Sequence, residues 1–420
     1  MLKLKRTLAV AGVAVTALGL MAPTASAHVA TPTWIVANST ATGDQDSPSV
    51  AINRTGYVAV VWEDDRDADN TADNVHSDIW IRLFHNGTAV YEKKLSAGGD
   101  SGVTNWRHLH PDVGLDDKGN AVVVWQDDPD GNGFYNIPYR VLNTAGTVTA
   151  SGNANSSATG QQINPRVSVD PDGAPLGGAV AFTAVWEDIQ TGTPATVKAA
   201  GYTGPTTRAW EVTASQTTGQ HHNPDVAVSA SGDALVVWDE DGDANASYNV
   251  GLVRLARTNG AVNLTRRVAN SNTGGEQSHA TVDANFNGDF AVAWESNHTG
   301  TAGAWTRTFD ASGTARFADV EVAAGGKAPS VGIDDVKQTV VGWTAQAADP
   351  DVWVRGFDAA GTDTGRLSAQ RLSSATPGRQ EQMAVAVSSF AEVAVVYTDD
   401  TDGNTHDQVF LGTGISNNSW

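Results

Sequence analysis

Apolar and polar residues alternate along this chain in a passage that recurs from end to end. The stretch HPDVGLDDKGNAVVVWQDDPDGNG, His110 to Gly133, holds two alternating runs joined by an Asp/Gly/Asn turn; the second ends in Trp125, before a loop crowded with carboxylates. Alternation with period two predicts strands, and the turn chemistry predicts a hairpin. Aligning on one apolar residue gives Val50, Val113, Val167, Val226, Val282, Val331 and Val385. Their spacing of roughly 56 residues falls where internal repeats mean propellers or solenoids.

Each copy opens on a strand with a small central residue, as in Val113-Gly114-Leu115 and Val226-Ala227-Val228; Thr281-Val282-Asp283 is the irregular one. The second strand ends in an aromatic, at Trp62, Trp125, Trp186, Trp238, Trp294, Trp343 and Tyr397. A third strand carries a cation at Arg82, Arg140, Lys198, Arg254, Arg307 or Arg355, and a Gly turn leads to a fourth. Four antiparallel strands in each of seven units predict an all-β, seven-bladed β-propeller. Small residues suit the crowded axis, and a large aromatic can wedge between blades.

The segment TPTWIVANS reads as a fourth strand without its first three, and the last copy stops after its third, DQVFLGTG. The N-terminal strand is therefore expected to complete the last blade, closing the ring and leaving no exposed edge.

With repeats reading G-x-Q-x-x-P-x-V (Gly43 to Val50), G-x-x-V-V-x-W (Gly119 to Trp125) and R-x-F-D-x-x-G (Arg307 to Gly313), the chain resembles a broad family of secreted bacterial propellers. The resemblance runs from about Thr33 onward. It implies the fold, together with functions spread over lectin-like binding modules, adhesion or assembly parts and, more rarely, glycan-degrading enzymes.

The first 27 residues combine a basic start (Lys3, Lys5, Arg6), an apolar run and Ala25-Ser26-Ala27, the pattern of an export signal. The expected product is secreted and extracellular, with residues 28–420 forming a single propeller domain. Cysteine is absent, which excludes disulfides and thiolate metal sites. The net charge of −21, which becomes about −24 once the three leader cations are removed, disfavours nucleic acid and anionic lipid as partners.

Two sets of residues are expected on one face. The first is a polar position five residues before the aligned apolar one: Gln45, His108, Gln162, His221, Gln277 and Gln380, with Gly326 the exception. These side chains either fasten one blade to the next through backbone hydrogen bonds or form a rim that meets a ligand. Trp106, His110 and His222 lie in the same loops without being required by the repeat, and Trp106 could stack on a sugar or plug the blade edge. Trp80, Trp305 and Trp353 read as packing between blades. The third-strand cations are expected to pair with the carboxylates after the second-strand Trp: Glu63, Glu187, Asp239 and Glu295.

The second set is four acidic loops: Asp65, Asp67 and Asp69; Asp128, Asp130 and Asn132; Asp239, Asp241 and Asp243; Asp400, Asp402 and Asn404. Alternating oxygen ligands about a glycine suit Ca2+, although the Glu that completes a helical calcium loop is missing and the same residues form ordinary turns.

No serine-hydrolase elbow or sialidase-type box is found, and no carboxylate pair stands out from the repeat. The sequence therefore leads to the expectation of a non-catalytic binding protein that takes a glycan or an extracellular protein partner on its loop-rich face, aided by calcium. The alternatives are a glycan-active hydrolase or lyase on the same scaffold, and a structural subunit of an extracellular assembly.

Overall fold

A computed structural model describes residues 32–66, 77–98, 106–173, 178–245, 247–345, 347, 350–365, 367–373, 378–400 and 406–416. Among them are twenty-eight strands and no helix, arranged as seven four-stranded antiparallel sheets. Six sheets take their strands in chain order. The seventh runs Thr33–Val36, Gln408–Ser416, Glu392–Asp399, Gln380–Val387, with Thr33 opposite Thr413 and Val36 opposite Phe410. The N-terminal strand thus closes the ring. Trp34 secures it, lying 5.4 Å from Tyr397, edge to face.

The first strands of the blades neighbour one another in an unbroken cycle, Gln380–Val387 next to Gln45–Ile52, and enclose an axial channel of about 550 Å³. Crowding there sets the small central residues. A Cβ on Gly114 would come within 2.7 Å of Val169 in the next blade, and one on Gly332 within 2.4 Å of Val387. Thr281-Val282-Asp283, irregular in sequence, lies in the same inner position as the other six.

The aromatics that end the second strands are buried at the blade seams. Trp62 packs among Val396 and Leu411 of the last blade, and Trp125 among Ile79 and Ile81 of the first. Trp80 and Trp305 lie against these inter-blade clusters too, in the packing role expected of them.

One feature of every blade is invisible in the hydrophobic pattern. Each first strand breaks register near its start around a residue with positive φ: Ser47 (48°), His110 (51°), Asn164 (51°), Asn223 (49°), His279 (52°), Ala328 (45°) and Gln382 (52°). A bulge of this kind bends the strand and re-aims one side chain. Seven of them set a circle of side chains around one mouth of the channel.

Candidate active site at the axial mouth

The second strand of each blade returns to the bulged end of the first, so the residue after the seam Trp faces the bulge of the following blade. Glu63 Oε1 accepts the N–H of His110 (2.7 Å), Gln126 Oε1 that of Asn164 (3.1 Å), Glu187 Oε1 that of Asn223 (2.7 Å) and Glu295 Oε1 that of Ala328 (2.7 Å). Asp239 Oδ1 accepts the N–H of Ala280 at 3.4 Å. A bulge leaves an N–H without a ladder partner, and these side chains supply one across the seam.

This corrects the expected pairing with third-strand cations. Arg82 donates to the carbonyl of Ala37, Arg307 to that of Ala269 and Arg355 to that of Val322, all on outer strands or beside them. The four carboxylates instead bond the bulges that ring the mouth.

Two of them share a partner. Besides its backbone bond to Glu187, Asn223 donates from Nδ2 to Asp239 Oδ2 at 2.7 Å. Glu187 also accepts from Asn164 Nδ2 (2.7 Å) and from His222 Nδ1–H (3.0 Å). Burial pushes the Glu187 carboxyl up, but the bonds from His222, Asn164 and Asn223 outweigh it and hold the group below its ordinary value. Burial dominates at Asp239 and raises it to about 6 against the bonds from Asn223 and from the His279 and Ala280 backbone. His222 is raised by its bond to Glu187. One asparagine thus connects a carboxylate held ionised to a carboxyl that keeps its proton into mildly acidic solution.

Glu187 and Asp239 are 2% and 3% exposed, whereas the His222 side chain is 33% exposed and Asn223 lines the channel. His222 is the member of the group that meets solvent. Its ring lies 5.9 Å from that of Tyr248, edge to face. The Tyr248 hydroxyl is raised by burial and by Asp241, Glu276, Asp239 and Glu187, which places it in the field of both carboxylates.

The polar residues singled out in sequence divide into two groups. Gln45, His108, Gln162, His221, Gln277 and Gln380 are at most 2% exposed. Their Nε2 atoms bond the carbonyls of their own incoming loops, at Thr42, Ala97, Thr159, Thr218, Gly274 and Gly378. This is a fastening geometry with no atom presented at the mouth. His110 lines the mouth, with Nδ1 3.0 Å from Gln126 Oε1, and His222 is half-exposed beside Glu187. Trp106 is half-buried, 4.9 Å from His108.

In the acidic loops, Asp67, Asp69, Asp402 and Asn404 lie outside the described residues. Asp65 accepts the N–H of Asp44. Asp128 accepts from Asn132 N and Gly133 N, and Asp130 from Asn132 Nδ2. Asp241 and Asp243 accept from Asn245 in the same way, while Asp239 turns to the mouth and Asp400 N–H bonds the carbonyl of Arg379. Among the described residues no group of three or more His, Asp or Glu side chains converges on a metal-sized centre.

No family model matches the chain, and no curated protein matches it. Solved structures do. A protein of unknown function from Dyadobacter fermentans, 12% identical, has a TM-score of 0.51 over 90% of this chain and 97% of its own. The α-L-arabinofuranosidase of Fusarium graminearum, solved with an iminosugar inhibitor and also with arabinobiose, is 10% identical with a TM-score of 0.50 over 74% of this chain and 94% of its own. At these identities the likeness establishes the propeller fold. The expectation of a non-catalytic binder is corrected: a neighbour with a named activity is an arabinofuranosidase, which favours the glycan-active alternative that sequence alone placed second.

Proposed function

We propose that this chain is a glycoside hydrolase whose site is the axial mouth between blades three and four. The observation that carries the reading is the opposite displacement of Glu187 and Asp239 about Asn223. Glycosidic cleavage needs one carboxylate to face the cationic transition state and one carboxylic acid to protonate the leaving oxygen. Two carboxyl groups with divergent proton affinities meet that requirement. Glu187 takes the first role and Asp239 the second, with His222 Nδ1–H helping to hold Glu187 ionised.

The arabinofuranosidase neighbour, solved with arabinobiose, supports a glycan as the substrate. Hydrolysis fits better than lyase chemistry, because Glu187 and Asp239 supply the carboxylate and the carboxylic acid that glycoside hydrolysis uses. The leader-like residues 1–27 agree with an enzyme that meets polysaccharide outside the cell.

The test is release of reducing ends from arabinan, xylan, mannan and pectin by wild type, Glu187→Gln and Asp239→Asn. The expected result is cleavage of a neutral polymer that falls about 100-fold or more in either variant while the fold is retained. Cleavage that yields an unsaturated product, or that survives both substitutions, would contradict the proposal.

A further inference from the structure

The loops that follow the second strands of blades two and four are built alike. In blade two, Asn132 N–H donates to Asp128 Oδ1 (3.0 Å) and Asp130 Oδ1 (3.3 Å), Asn132 Nδ2 to Asp130 Oδ2 (2.8 Å), and Phe134 N–H to Asn132 Oδ1 (2.7 Å). In blade four, Asn245 makes the same bonds to Asp241 (2.9 Å) and Asp243 (3.3 and 2.8 Å), and Ser247 N–H donates to Asn245 Oδ1 (2.7 Å). The carboxylates stiffen the loops, and the two loops flank blade three, which carries Glu187.

The twins differ most in bulk at the residue before their shared Tyr. Where blade four has Ser247, blade two has Phe134, 50% exposed and held by a backbone locked at both ends. Its ring is offered to solvent from a loop that lies on the mouth side. Tyr135 follows it as Tyr248 follows Ser247, and the Tyr135 hydroxyl, bonded to Arg107, feels the charge of Glu63 at the mouth. Among the described residues the other exposed large aromatic, Phe390 at 60%, sits in a first hairpin turn on the opposite face.

We infer that Phe134 is a sugar-stacking platform, and that the surface from blade two to blade four takes a neutral oligosaccharide chain of several units rather than a charged or single sugar. This rests on the hydrolase reading for where the chain is cut, but not for whether it binds. An aromatic face packs on the apolar face of a pyranose or furanose, and the surrounding carboxylates disfavour uronates. A rigid loop lets Phe134 bind without losing freedom.

Calorimetric titration of the full chain with arabino- and xylo-oligosaccharides of increasing length, and with oligogalacturonides, tests this independently of turnover. The expected result is affinity that grows with length for a neutral series, falls about tenfold in Phe134→Ala, recovers in Phe134→Trp and is unchanged in Phe390→Ala. Binding that ignores Phe134, prefers oligogalacturonides, or is absent throughout would overturn the inference, as would Phe134-dependent self-association without sugar binding. Phe134-dependent binding with no cleavage of any polymer would keep the platform and remove the hydrolase reading.

Discussion

Glu187 of blade three accepts the backbone N–H of Asn223 in blade four at 2.7 Å, across a seam whose core is apolar. The bond satisfies a bulge, and it also fixes a charge at the mouth. Structure and chemistry are therefore coupled at this residue pair.

Asn223 should govern the proton affinity of its neighbour. Removing its amide in Asn223→Ala takes a donor from Asp239, whose carboxyl should then titrate above its present value of about 6. Carboxyl NMR titration of both proteins reads the shift; an unchanged or lower value would show that Asn223 does not control Asp239.

The protein should be more stable in mild acid. Asp46, Asp225 and Asp283 are raised to about 7, in each case chiefly by burial, with Arg166 partly opposing the rise at Asp225. A folded-state value above the unfolded one, near 4, means that the folded chain binds the proton more tightly. That stabilisation is complete below the unfolded value and is lost as pH rises through about 7. Glu187 and Asp310 act in the opposite sense, against these three and Asp170, which is also raised to about 7. Tm should therefore be higher at about pH 5 than at about pH 8, and Asp225→Asn or Asp283→Asn should flatten the dependence.

Crowding at the axis predicts a size limit. Gly332→Ala would drive its methyl group into Val387, costing about 1 to 3 kcal/mol in denaturant unfolding. Ala227 already carries that group at its own axial position, so reversing it to Gly should cost only about 1 kcal/mol.

The bulges make a prediction of opposite sign. Ala328 holds φ at 45° while its N–H is bonded to Glu295, so Ala328→Gly should stabilise by up to about 1 kcal/mol. Ala328→Val should destabilise, because a branched side chain resists that backbone region. Equilibrium unfolding of the two variants checks both signs.

The fold was legible because its signal repeats: period-two strands, a small residue at the axis and an aromatic at the seam, restated seven times from Val50 to Val385. Closure was legible from the two incomplete ends. The site was not, for two physical reasons. Positive φ at the bulge is met by Ser, His, Asn, Ala or Gln, so no single letter marks it; the recurrence of Asn or His just before Pro, at Asn164, Asn223 and His110, was the available hint. The partners of Glu63 and Glu187 lie in the following blade, where neither the strand alternation nor the expected pairing with a cation in the same blade could indicate them. The acidic loops were read as calcium ligands because Asp-x-Asp-x-Asn fits that use. In Asp128 to Asn132 the same oxygens also accept from the loop's own N–H groups, and the residue they position, Phe134, stands out only through its exposure.

The most direct test of the account is the pH dependence of reducing-end release from a neutral polysaccharide by wild type and by Asp239→Asn. With Asp239 as the proton donor, wild-type activity should fall as pH rises through about 6, and the variant should lose about 100-fold or more of it along with that limb. An Asp239→Asn protein that cleaves as fast as wild type, with the same profile, would contradict the central claim.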